Sequence, residues 1–261
     1  MFDFSGIKKG NWKILCRNDL IPKLKQLFDS PGKFVPAHIK KTYMESPNLV
    51  ADIELSTGET LNVKIFGWRS RLHLILSPFR RAKSLRTYLT AKRLLENNVP
   101  TPQPICIMEK RRWGFLKDDI YISEFITDYV TVRDFLQKQP EGYSAAKAII
   151  PYLADYVKQI HRSGVWHRDL HLTNFLMKRN KKGEPVFYLV DLNRAKLFKK
   201  MGETLRIFDI GKMDLHEFRI DFLDLYLDNS KNRLKLERLF YFYIIFRRLR
   251  KKILRLLKIK K

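Results

Sequence analysis

The segment His167-Arg168-Asp169-Leu170-His171-Leu172-Thr173-Asn174 limits what this chain can be more than any other. It sets a carboxylate and a carboxamide five residues apart on a loop that runs into a strand, residues 175–178. A turn holding Lys181, Lys182 and Gly183 leads to a second strand, 186–190, which ends on Asp191-Leu192-Asn193. Strand–turn–strand pairing is local, so Asp191 returns toward the end of the hairpin where Asn174 starts. Buried carboxylates are costly without a cation or hydrogen-bond partner, so two carboxylates and a carboxamide kept together point to chemistry.

That chemistry reads as phosphoryl transfer from ATP. The reaction needs a carboxylate for the attacking hydroxyl's proton, oxygen ligands for Mg²⁺ on the phosphates, and a cation on the phosphate tail. Asp169 suits the first role, Asn174 and Asp191 the second. Lys64, in Asn62-Val63-Lys64-Ile65-Phe66 with apolar neighbours alternating around it, suits the third.

Charge narrows the partners. The chain carries 52 Lys+Arg against 27 Asp+Glu over 261 residues, a net charge of +25, which calls for polyanionic company. The excess is regional: residues 69–93 hold eight Lys/Arg and no acid, and residues 231–261 hold thirteen against Glu237 alone. Trp68, Trp113 and Trp166 lack the aromatic–basic alternation that stacks bases, so nucleic acid is not the expected partner. The start has no apolar signal region, and the longest apolar run, 239–246, is far short of the ~20 residues of a membrane span. Cys16 and Cys106 read as buried thiols in a reducing compartment. The chain is expected to be cytoplasmic.

Strands are expected at 34–41, 49–55, 60–66, 105–108 and 119–124, with one helix opened by Ser77-Pro78 and stopped by Asn98-Val99-Pro100. Helices follow at 131–139 and 144–162, and most of the chain after Asn193 reads as helical. The expected divisions are an N-terminal extension, 1–33, a sheet unit, 34–125, and a helical unit, 126–261.

These motifs resemble the protein-kinase-like fold, whose catalytic loop reads H-R-D-L-x-x-x-N and whose strand lysine sits in V-A-I-K. Within it the chain is most similar to the bacterial lipopolysaccharide core kinases, which phosphorylate Kdo or heptose of the inner core. Val99-Pro100-Thr101-Pro102-Gln103-Pro104, His171, and the short remainder after Asp191 without an A-P-E motif carry that likeness. The resemblance implies an α+β fold of two lobes, a small antiparallel sheet with one main helix and a larger helical lobe. It also implies ATP and Mg²⁺, and a lipid-linked core oligosaccharide as acceptor. Asp169 would be catalytic, Lys64 would contact the nucleotide, and Asn174 and Asp191 would bind metal. His167, Arg168 and His171 would support them: His167 packing the loop, Arg168 pairing with a local carboxylate, and His171 contacting the sugar or bracing the loop. Asp209 would anchor the loop from the next helix.

The sequence also departs from the pattern. No glycine lies between Val35 and Leu55 to form a phosphate loop, Asp191-Leu192-Asn193 stands where D-F-G is usual, and Glu96 is the only acid between Lys64 and Pro100. A protein kinase, a kinase of another small molecule, and a non-catalytic pseudokinase binding membrane or nucleic acid are the alternatives. Leu249, Ile253, Leu256 and Leu257 form one apolar stripe among basic residues, the pattern of a helix lying on an anionic membrane or packing as a last core helix.

Overall fold

A computed structural model describes residues 3–46, 48–67, 76–228 and 230–256. The chain forms two compact units, Met1–Thr127 with Asp191–Arg194, and Asp128–Val190 with Ala195–Lys261.

The first unit is built on a seven-stranded antiparallel sheet. Its strands are β1 (Phe4–Lys9), β2 (Trp12–Arg17), β3 (Ile39–Met44), β4 (Leu49–Glu54), β5 (Thr60–Ile65), β6 (Pro104–Arg112) and β7 (Phe115–Glu124), in the order β1-β2-β6-β7-β5-β4-β3. Two of these strands lie in the stretch expected to be an N-terminal extension. Gly10, at φ 55°, and Asn11 turn β1 back on β2, a two-residue hairpin signal. Strand β2 then pairs with β6, opposing Cys16 to Cys106 as two buried free thiols. Burial pushes the Cys106 thiol well up.

The stretch after β2 also belongs to this unit. Two 3-10 turns lead into α1 (Lys25–Asp29) and α2 (Pro31–Ala37). Leu24, Leu27, Phe28 and Val35 join Ile53, Val63, Met108 and Ile122 in one core cluster. The strand expected at 34–41 therefore starts at Ile39. A short apolar run such as Phe34-Val35 has no period long enough to separate helix from strand.

A second cluster, Phe66, Tyr88, Ile107 and Tyr121, includes the helix α3 (Lys83–Glu96). Its N-terminus lacks a local cap. Asp119 of β7 supplies one instead, accepting the N–H groups of Lys83 at 2.8 Å and Ser84 at 3.1 Å. Burial raises the Asp119 pKa against those hydrogen bonds.

The second unit is mostly helical: α4 (Val132–Lys138), α5 (Gly142–Ala148), α6 (Ile150–Arg162), α7 (Glu203–Ile210), α8 (Arg219–Leu227) and α9 (Arg233–Leu256). Pro151 splits the helix expected over 144–162, since proline fits a first turn and not an interior. Short strands β8 (Val130–Thr131), β10 (Phe175–Arg179) and β11 (Pro185–Leu189) make one small sheet, and β9 (Val165–Trp166) pairs with β12 (Lys196–Leu197). Gly164, at φ 79°, precedes β9 where a Cβ would strike the backbone of Phe198, so no other residue fits.

Candidate active site

Lys64 lies on β5, opposite Val50 of β4 and Tyr121 of β7. It sits one hairpin later in the sheet than expected, because β1 and β2 precede it. Its Nζ donates to Asp191 Oδ1 at 2.6 Å, with the two side chains 14% and 35% exposed. A charge-assisted hydrogen bond at this burial fixes both groups. The Asn193 amide donates to the same carboxylate oxygen. Asp191 holds φ at 59°, a left-handed conformation uncommon outside glycine and found where a side chain must be aimed. Glu96 does not serve Lys64. It stands at the end of α3, 3.9 Å from Lys92.

In the second unit, the loop after β9 is held from beneath by Asp209 of α7. That carboxylate is fully buried and accepts the backbone N–H groups of His167 at 2.8 Å and Arg168 at 2.9 Å. Burial works against its charge, but the His161 contact and the Lys212 ammonium prevail and hold its pKa below the usual carboxylate range. His161 of α6 sits with Nε2 3.6 Å from Asp209 and Nδ1 2.6 Å from the Tyr226 hydroxyl, and burial keeps it neutral by lowering its pKa.

The loop's own residues finish the arrangement. His167 Nε2 donates to the Val190 carbonyl at 3.1 Å, tying the loop to the residue before Asp191. Asn174 donates its amide N–H to the Asp169 carbonyl at 2.8 Å, and its backbone carbonyl accepts from Val190 N at 2.9 Å. His171 Nε2 stands 3.3 Å from Asp169 Oδ1. Arg168, at φ 66°, lays its guanidinium 5.3 Å over the Trp166 ring. It meets an aromatic face, and among the described residues no carboxylate pairs with it. Lys212, which the motif does not include, donates to the Arg168 carbonyl at 2.6 Å. Its only sequence signal is a place just past the helix that carries Asp209.

These donors suit Mg²⁺. Among the described residues no three of His, Cys, Asp and Glu gather to make a metal cage. In the second unit the Asn174 amide is oriented by its N–H bond to the Asp169 carbonyl, which turns its oxygen away as a possible donor, and in the first unit Asp191 offers a carboxylate, each a donor type that Mg²⁺ accepts. One or two protein oxygens completed by phosphates and water is the set Mg²⁺ takes.

The chain is 24% identical over 131 residues to the lipopolysaccharide core heptose(I) kinase WaaP of Escherichia coli, covering 48% of this chain and 49% of that protein. It is 28% identical over 94 residues to a probable serine/threonine-protein kinase, fnkE, of Dictyostelium discoideum, covering 34% of this chain and 7% of that one. The matches thus span about half or less of these curated relatives. Among solved structures, WaaP in complex with acyl carrier protein superposes with a TM-score of 0.59 at 22% identity, covering 83% of this chain and 96% of the other. That likeness shows an α+β fold of the protein-kinase-like class. The sequence pattern of the lipopolysaccharide kinase (Kdo/WaaP) family matches residues 69–227, more than half of the chain. The chain therefore belongs to the lipopolysaccharide kinase (Kdo/WaaP) family, and so to the kinases.

Proposed function

We propose that the protein transfers the γ-phosphoryl group of ATP to a sugar hydroxyl of the lipopolysaccharide inner core, on Kdo or heptose. The observation that carries this reading is the catalytic-type loop, in which Asp209 grips the backbone on one side of Asp169 and Asn174 grips its carbonyl. A carboxylate fixed this way can take the proton of an attacking hydroxyl with little reorganisation. The acceptor oxygen bonds to the γ-phosphorus, the bond to the β,γ-bridging oxygen breaks, and the proton passes to Asp169 as ADP leaves. Lys64 contacts the α- and β-phosphates. Asn174 and Asp191 hold Mg²⁺, which when bound neutralises charge on the phosphates. Asp169→Asn tests the assignment: nucleotide binding persists and transfer is lost. An equally active variant would refute the role.

The same reading places the protein on an anionic membrane surface through α9. No helix among the described residues is long and apolar enough to cross a bilayer. In α9, Leu236 and Phe240 are buried, and the Tyr243 ring lies tilted against Phe208 of α7 with centroids 4.8 Å apart. Phe242, Ile245, Phe246, Leu249, Ile253 and Leu256 lie on the outer side, each more than half exposed. Leu257, Lys258 and Lys260 lie outside the described residues, as do residues 68–75 of the other basic stretch. An exposed apolar stripe flanked by Arg248, Arg250, Lys251 and Lys252 is the form of an interfacial helix, apolar side in the acyl boundary and cations on the headgroups.

A further inference from the structure

The far end of the β6–β7 hairpin, in the first unit, holds two aromatic side chains in water that none of the roles above uses. Arg112 pairs with Phe115 across the hairpin, so Trp113 and Gly114 alone make the turn. Both have positive φ, 50° and 81°, as a type I′ turn requires at its two central residues, where Asn-Gly is the favoured pair. A tryptophan in the first of these places is strained, because a left-handed backbone crowds its Cβ. Packing does not repay the strain, since Trp113 is 84% exposed. Strain kept at such a residue marks function.

A second loop is fastened beside this turn. Arg111 Nη1 donates to the carbonyls of Ser77 at 3.1 Å and Gly114 at 3.0 Å, and its Nη2 donates to the Arg80 carbonyl at 3.3 Å. Glu109 accepts from the Nε of the same guanidinium at 3.2 Å. The Leu116 N–H donates to the buried Ser77 hydroxyl at 3.0 Å, and a Cβ at Gly114 would meet Pro78 at 3.7 Å. One guanidinium thus closes the two loops on each other. The second loop carries Phe79, 88% exposed, on its outer side.

Two large rings held in water on adjoining tips forgo the burial that rings of this size gain elsewhere, and exposed apolar surface of this kind marks an interaction site. Cations surround them. Arg80, Arg81, Arg112 and Lys117 are all exposed, and the Arg112 guanidinium lies over the Trp113 ring, 4.6 Å from its centroid. The acids of the hairpin are engaged: Glu109 with Arg111, and Asp118 with Lys110 at 4.0 Å. A protein hot spot is a packed recess ringed by further contacts, whereas these rings protrude. Protruding aromatic rings with cations beside them suit the headgroup depth of an anionic bilayer, where tryptophan is favoured and each cation adds attraction. We infer that the Trp113 turn and the Phe79 loop form a lipid-binding site of the first unit, both rings entering the headgroup region of an anionic membrane. This site lies apart from α9 in the chain, goes beyond the reading of α9 as an interfacial helix, and stands without it.

The test mixes the full chain with phosphatidylglycerol vesicles brominated at a shallow acyl position, which quench only indoles that enter the bilayer. Tryptophan emission should fall with the unaltered protein, and that loss should shrink in Trp113→Asn, a residue suited to the turn. In co-sedimentation, Trp113→Asn and Phe79→Ser should each weaken vesicle binding by about tenfold, the worth of burying part of one ring, and the double variant by about 100-fold. Both positions are exposed, so folding is little at risk. Unchanged binding in the double variant would overturn the inference. So would sedimentation of the unaltered protein with emission unquenched, which would leave the tips to a protein partner.

Phe246→Asp separates this site from α9. Two sites on one chain reinforce each other, so this variant is run at raised lipid concentration, where one site suffices. Quenching that persists there, and is lost on adding Trp113→Asn, is the expected result. Loss of all binding and quenching in Phe246→Asp at every lipid concentration would keep α9 and overturn the site in the first unit. Binding and quenching indifferent to Phe246→Asp but abolished by the double variant would keep this site and remove the α9 reading.

Discussion

Lys64 Nζ and Asp191 Oδ1 stand 2.6 Å apart, joining residues separated by 127 positions. The family pattern would give this lysine a glutamate from the following helix, and here its acidic partner is the carboxylate proposed to hold Mg²⁺. The pair sets the direction of both side chains.

Lys64→Met should therefore reduce phosphoryl transfer by roughly 100-fold, the worth of a charged contact on the developing phosphate charge. Asp191→Asn should cost at least as much. In single-turnover assays the double variant should fall well short of the product of the two losses, because the groups act as one unit.

Asp209 makes a structural claim. Removing a buried carboxylate that accepts two backbone N–H groups leaves both unsatisfied, so Asp209→Ala should lower unfolding free energy by about 3 kcal/mol. Asp209→Asn keeps one acceptor and should recover part of that. Urea titration followed by far-UV circular dichroism reads both.

Acid should weaken the second unit in two stages. His161 is buried neutral with its pKa lowered, so the unfolded chain takes up its proton first as pH falls through about 6.5. Stability should thus decline from about pH 7 downward, and His161→Gln should flatten that slope. The Asp209 contribution, from a carboxyl whose folded pKa is lowered, is present above the unfolded value near 4 and disappears below it. Unfolding free energies between pH 7.5 and 3.5, measured on both variants, check the signs.

The first thirty residues should behave as core. Leu24 and Leu27 are fully buried, so each change to Ala should cost about 2–5 kcal/mol. Thermal melts would show no change if this stretch were an appendage.

Some of this was legible in the chain alone. The HRDLHLTN segment declares its chemistry because Asp169, Asn174 and Asp191 are close in sequence and joined by a hairpin. The Phe-Asp-Ile-Gly segment pointed to Asp209 as an anchor. Long-range partners were not legible: Asp191 for Lys64 and Asp119 for the start of α3 depend on tertiary placement that no local pattern encodes. The β1–β2 hairpin did leave a signal, Gly10-Asn11, but its strands mix lysine with apolar residues and hide the alternation. The outer stripe of α9 begins at Phe242, a turn or more before the stripe read from Leu249. Both of its faces are apolar there, and sequence alone does not say which one packs.

Membrane binding should follow that outer face. Phe246→Asp and Ile253→Asp should each release the protein from phosphatidylglycerol vesicles, and neutral phosphatidylcholine vesicles should bind little of the unaltered chain. Each basic residue contributes about 1 kcal/mol near an anionic surface, so salt should weaken binding steadily. Co-sedimentation across a salt series measures this, and retention by both Asp variants would refute it.

The most direct measurement is transfer of labelled phosphate from Mg²⁺-ATP to Kdo-bearing lipid A and heptose-bearing core acceptors, with Asp169→Asn run beside the unaltered protein. Label on the glycolipid with the unaltered chain and none with the variant is the predicted result. No label on any acceptor together with no binding of Mg²⁺-ATP, or equal label with the variant, would contradict the account.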